Sequence, residues 1–217
     1  MYINIHTHNP ESPNQNHLSI YNLQVTHPLP MGYIGKYSAG IHPWNIPSDH
    51  SQAIATLKQM ATESNIVAIG ECGLDKLCQT PFGLQTKIFE EHIKISEEVK
   101  KPLIIHCVKS YNQIVELKKE YKPIQPWIMH GFRGKAQTAT MLINAGIILS
   151  IGEKYNPDTV KALPIEKILI ESDESSLSIE DIYQNIAQTR GISVEELKKE
   201  VENTHKSILK QNITTII

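Results

Sequence analysis

The sequence predicts an α/β fold built on a parallel sheet. Short, continuous apolar runs recur along the chain, each bounded by turn residues, as in strands buried on both faces. Amphipathic stretches of helical period separate most of them. No low-complexity linker, internal repeat or domain-boundary charge block interrupts the pattern, so residues 1–217 are expected to form one domain.

Eight runs qualify as strands: 2–6, 18–25, 36–42, 66–71, 103–107, 127–130, 146–151 and 167–171. Helical patterns occupy 49–63, with Ser48 or Asp49 as cap, then 81–100, 110–120 and 135–145, the last stopping at Gly146. From Ser178 onward the chain reads as two or three helices, one capped at Ser193. Eight strands with intervening helices point to a (β/α)8 barrel. Only about a dozen residues separate His6 from Leu18, so the first helices are expected to be vestigial. The competing doubly wound sheet normally carries a glycine-rich loop after its first strand; this chain has His6-Thr7-His8 there.

The composition excludes several classes. Lys and Arg number 21 against 23 Asp and Glu, for a formal charge of −2. That balance creates no broad field for duplex nucleic acid. No apolar run approaches the ~18–20 residues of a spanning helix, and residues 1–6 lack a secretory pattern. Cys72, Cys78 and Cys107 show no C-x-x-C spacing. Reduced thiols and a cytoplasmic location are therefore expected.

Ten histidines are many for this length, and their positions carry the chemistry. His6 and His8 close the first strand, His42 the third, Glu71 the fourth, His106 the fifth and His130 the sixth, while the eighth runs into Asp173. In a parallel barrel the carboxyl ends of the strands form the active face. Imidazoles and carboxylates gathered there are a metal-site signature. The H-x-H spacing turns both rings to one side of an extended segment. With four neutral imidazoles and two carboxylates, two divalent ions would leave a site of about +2, which favours an anionic substrate such as a phosphodiester. The nitrogen and oxygen donors are compatible with Zn, Mn, Fe or Co, and less with a site built for Mg alone.

The stretches IHTH (5–8), GIHPW (40–44), AIGECGLDK (68–76), KPLIIHC (101–107), MHGFRG (129–134) and LIESD (169–173), in that order, resemble the TatD family of metal-dependent deoxyribonucleases. The resemblance implies a distorted, trimmed TIM barrel carrying one or two divalent metal ions. It assigns His6, His8, Glu71 and Asp173 to the first ion and Glu71, His106 and His130 to the second. Asp173 would also serve as catalytic base with Glu71 as bridging ligand, and His42 would touch substrate phosphate. DNA ends or a small phosphoester are the implied substrates, with no membrane and no obligate protein partner.

Four departures from the family pattern stand out. Asn4 occupies a position often held by Asp, and the region from His8 to Ile41 is short by about one helical unit. Glu174-Ser175-Ser176 follow the final Asp in place of an apolar residue and Pro, and the usual proline-rich loop is missing before Ile179. These changes affect substrate-shaping loops, so hydrolysis of an amide, a lactone or another phosphoester, or a metal-binding scaffold without catalysis, are the alternatives. Beyond the ligand set, Arg133 and Lys76 are candidate phosphate contacts, with Lys109 a further one. Trp44 is the best placed aromatic for stacking on a base, whereas Phe82 and Trp127 read as core. Asp75 reads as a loop carboxylate satisfying backbone. His17, His27, His50, His92 and His205 lack strand-end placement and read as exposed or capping histidines.

Overall fold

The computed structural model describes residues 1–9, 15–26 and 35–210. Eight strands are present: β1 (Tyr2–Thr7), β2 (His17–Gln24), β3 (Lys36–Gly40), β4 (Ile66–Asp75), β5 (Leu103–Val108), β6 (Trp127–Met129), β7 (Ile147–Ile151) and β8 (Ile168–Ile170). The helices are α1 (His50–Ala61), α2 (Phe82–Val99), α3 (Tyr111–Tyr121), α4 (Ala136–Asn144), α5 (Pro157–Ala162), α6 (Ile179–Arg190) and α7 (Val194–Lys210). Strand order in the sheet is chain order, and Thr7 bridges Asp173 in parallel just beyond β8. This is the topology of a (β/α)8 barrel trimmed early in the chain: among the described residues no helix lies between β1 and β3.

Contacts divide the chain into two compact units, Met1–Tyr21 with the chain from Met129 onward, and Asn22–Ile128. In the second of these, β3 pairs with β4 and β4 with β5, all in parallel. Nearly every residue of β4 is buried, the pattern of a strand covered on both faces. The strand runs on to Asp75, beyond the expected end at Glu71, because Cys72–Asp75 keep pairing with Ile105–Val108 of β5. Gly73 makes this possible. Its φ is +143°, and a Cβ there would collide with the His106 carbonyl oxygen of β5. Asp49 caps α1 by accepting from the Gln52 N–H at 3.0 Å. Ala53, Leu57 and Ala61, four residues apart, form its buried stripe. Helix α2 buries Ile88, Phe89, His92, Ile93 and Ile95. Trp127 is fully buried with its ring edge-on to Phe89.

In the other unit β1 pairs with β2 in parallel (Tyr2↔His17, Asn4↔Ser19), and β7 pairs with β8 (Leu149↔Ile168). Tyr183 of α6 is buried against β1. Its hydroxyl accepts from the Ile3 N–H at 3.1 Å and donates to the Ile3 carbonyl at 2.9 Å. Burial pushes its phenol well above the ordinary range. Ser178 caps α6 by accepting from the Asp181 N–H, and Gly191 ends it at φ +69°. Buried Leu197, Val201, His205 and Ile208 recur at three- or four-residue spacing along α7. Helix α5 was not expected; at six residues it shows too little periodicity to read.

Candidate metal centre

In the unit containing β1, the backbone sets the geometry. The Asp173 N–H donates to the His6 carbonyl and the His8 N–H donates to the Asp173 carbonyl, both at 3.0 Å. Asp173, at φ +54°, is thereby held beside the H-x-H segment. Its Oδ1 lies 3.8 Å from His6 Nε2 and 3.6 Å from His8 Nε2. The His130 ring centroid is 4.5 Å from that of His6. One donor atom each from His6, His130 and Asp173 lie within 4.8 Å of one another. His6 is fully buried, whereas Asp173 is 27% exposed, so its carboxylate can meet both ion and solvent.

A clasp beneath these groups keeps them in register. The Asn4 amide donates to Ser172 Oγ at 2.8 Å while Asn4 Oδ1 accepts from the Ser172 N–H at 3.0 Å. Ser172 Oγ in turn donates to Thr7 Oγ1 at 2.9 Å. Asn4 is buried, and an amide supplies the donor and the acceptor that Ser172 requires.

Glu171 supports His130. It is completely buried, its Oε1 accepts from the Gly131 N–H at 2.6 Å, and the same oxygen lies 3.4 Å from His130 Nδ1. Burial raises its carboxyl, but the His130 and His6 rings outweigh that and hold it below the ordinary range. Arg133 lines a cavity of about 410 Å³ together with Asp173, Glu171, Lys154 and Ser175.

The Asn22–Ile128 unit carries its own three-donor set: His42, Glu71 and His106, again within 4.8 Å of one another. Glu71 Oε1 lies 3.2 Å from His42 Nε2 and 2.9 Å from His106 Nδ1. His42 begins the short turn Pro43–Asn45, and its Nδ1 accepts from the Trp44 N–H at 3.2 Å. That bond directs Nε2 toward Glu71. His42, given to substrate by the resemblance, thus stands in a ligand-like set with two residues expected to hold metal.

Behind His106 stands Asp75. Its Oδ2 is 3.3 Å from His106 Nε2 and accepts from the Trp44 indole N–H at 2.6 Å, while Oδ1 accepts from the Leu77 N–H at 2.7 Å. Burial raises the Asp75 carboxyl, and the bonds from Trp44, Leu77 and His106 more than offset it. Asp75 is therefore more than a loop carboxylate satisfying backbone. Lys76 lies over the Phe82 ring, 5.4 Å from its centroid. Burial pushes the Cys72 thiol well up and that of Cys107 up to about 12, so both stay protonated and the donor sets consist of nitrogen and oxygen. These sets, imidazole nitrogens with a carboxylate oxygen, fit a borderline divalent ion.

Two histidines differ from expectation. His92 is fully buried: its Nε2 accepts from the Ile41 N–H at 2.9 Å and its Nδ1 faces the Ile88 carbonyl at 2.7 Å. Burial lowers its pKa to about 4. His205 is buried on α7. His17 lies 2.6 Å from Glu180, and His27 falls outside the described residues. Among the described residues, no helix is long and apolar enough to cross a membrane.

The strand ends carry histidine–carboxylate sets that could hold a divalent ion, on an α/β TIM barrel. The chain matches the TatD related DNase family over residues 31–210, and it belongs to that family. An uncharacterized metal-dependent hydrolase of Buchnera aphidicola is 37% identical over 150 residues, 65% of this chain and 56% of that protein. A Pantoea ananatis protein named 3'-5' ssDNA/RNA exonuclease TatD is 24% identical over 198 residues, covering 79% and 76%. The crystal structure of YjjV, a TatD homologue from Escherichia coli K12, superposes with a TM-score of 0.77 at 18% identity, covering 88% of this chain and 85% of that one. This chain therefore spans little more than half the length of the Buchnera relative.

Three supporting residues escaped the sequence reading: Glu171, Asp75 and His92. Glu171 stands two positions before Asp173, and Asp75 four after Glu71; a search for carboxylates flanking the ligands would have found both. Nothing in the local sequence marks His92.

Proposed function

We propose that the protein is a divalent-metal-dependent phosphodiesterase that acts on DNA ends, with Asp173 as general base. The observation that carries this reading is the position of the Asp173 carboxylate, pinned by two backbone bonds to β1 beside His6 and His8 and still partly exposed. The residues that would hold metal are His6, His8, His130 and Asp173 in one unit and His42, Glu71 and His106 in the other. When bound, a divalent ion supplies Lewis acidity toward water and toward a phosphoryl oxygen. Asp173 orients the attacking water and takes its proton at the carboxylate. Arg133 offers a guanidinium to the charge that develops on phosphate, and Lys76 is a weaker candidate because Phe82 already holds its ammonium. The Pantoea relative's name supports a nucleic-acid end as substrate. Three free cysteines are consistent with a cytoplasmic setting, and the reading calls for no obligate protein partner.

The test compares the unaltered protein with Asp173→Asn on a single-stranded oligodeoxynucleotide, with lactone and amide substrates alongside. Turnover on the oligonucleotide is expected to fall by orders of magnitude while bound metal, measured by elemental analysis, falls less. Full activity of the variant overturns the role of Asp173. Turnover of only lactones or amides by the unaltered protein overturns the phosphodiester reading.

A further inference from the structure

Within the Asn22–Ile128 unit, Trp44 combines two properties that rarely coincide. It is 60% exposed, yet its indole N–H is fixed to Asp75 Oδ2 at 2.6 Å. Asp75 is itself immobilised: its N–H donates to Gln85 Oε1 at 2.7 Å and its carbonyl accepts from Gln85 Nε2 at 3.0 Å. The indole thus presents a rigid aromatic surface to solvent, and its position is tied to the oxygen that faces His106. Its ring centroid lies 4.9 Å from that of His42 and 5.8 Å from that of His106.

Beside it opens a pocket of about 480 Å³, lined by Trp44, Asp75, Leu77, Cys78, Gln79, Thr80 and Val108. Leu77 is 64% exposed. The lining is mainly apolar and aromatic, with Asp75, Cys78, Gln79 and Thr80 as its polar residues. Lys76 and Lys109, both exposed, neighbour Leu77 and Val108 in the chain, and the Lys76 ammonium lies over the Phe82 ring.

We propose that this pocket seats an unpaired nucleobase of a single-stranded end, stacked on Trp44, while the adjoining phosphate meets the ligand set at His42 and His106. The inference rests on the phosphodiesterase reading and adds to it that the substrate is recognised by a base. A planar base matches a fixed indole, the exposed Lys109 next to Val108 in the chain offers a charge to the sugar-phosphate chain, and the Asp75 contacts tie the pocket to His106. A duplex end would have to unpair its terminal base to enter.

The experiment uses two single-stranded oligodeoxynucleotides, one intact and one abasic at its terminal positions, with the unaltered protein, Trp44→Phe and Trp44→Ala. Trp127 is buried, so Trp44 is the tryptophan of the two open to quenching. The intact oligonucleotide is expected to quench the emission. Trp44→Ala is expected to weaken its binding about 10-fold or more, and Trp44→Phe much less, in keeping with the usual worth of a stacked base. On the abasic oligonucleotide all three proteins should bind alike. Equal losses on both oligonucleotides, or no loss in Trp44→Ala while cleavage proceeds, overturn the stacking proposal and leave the phosphodiesterase reading standing. Failure of the unaltered protein to bind or cleave either oligonucleotide overturns both. Quenching by an unstructured aromatic peptide as strong as that by the intact oligonucleotide assigns the pocket to a polypeptide and overturns the proposal.

Discussion

Two of the imidazoles are backed by carboxylates that the ligand pattern alone does not reveal: Glu171 behind His130 and Asp75 behind His106. A carboxylate in that position fixes the ring's tautomer and orientation and raises its basicity. Glu171→Gln and Asp75→Asn are each expected to lower affinity for Zn or Mn about 10- to 100-fold, read by competition with a chromophoric chelator. An unchanged affinity in both would show that the rings are oriented by packing alone. At this scale the sequence was informative about residues whose chemistry is local to a strand end, such as His6, His8 and Asp173. It was silent about residues defined by what they touch. Asp75 earns its role through Trp44 and His106, which are 31 positions away on either side. No spacing rule encodes that.

At the level of elements, helix α2 reaches into strand β3 through one side chain. His92 receives the Ile41 N–H just past the end of β3, and Ile41 packs with Ala53 and Ile88. The ring must be neutral at Nε2 to accept that bond. Its folded pKa of about 4 lies below the ordinary 6.5, so between those values the unfolded chain binds the extra proton. Stability is fully present above about pH 6.5 and declines as pH falls toward 4, by about 3 kcal/mol at most. Urea unfolding at stepped pH should show this slope, and His92→Gln should flatten it. A slope that persists in the variant would place the titration elsewhere. The helical period of α2 was legible because Ile88, Phe89, Ile93 and Ile95 share a face. The histidine within that face closes no strand, and its burial follows from a contact with Ile41, 51 positions away, that no local spacing encodes. Strands were legible to within a few residues, with β4 the exception because Gly73 lets it continue against β5.

For the whole molecule, metal and fold should be linked. An ion that binds only the folded chain stabilises it by about 2.7 kcal/mol at a hundredfold excess over Kd. Tm is therefore expected to rise with added Mn or Zn and to fall on chelation. The rise should shrink in His6→Ala, and a Tm indifferent to both treatments would argue against metal sites at these strand ends. Eight strands in chain order were readable from periodicity. The division of contacts into two units was not, because it depends on contacts between residues far apart in sequence. The clasp of Asn4 and Thr7 with Ser172 has a kinetic consequence. Its partners are 168 and 165 positions apart, and such pairings carry a large loop-closure cost and slow folding. On a ribosome moving at ~5–20 residues per second, the H-x-H segment waits roughly 10–30 s before Asp173 is even synthesised. During that interval β1 lacks the neighbour that holds its histidines, so the H-x-H segment stays without its carboxylate partner until the chain has been extended to Asp173.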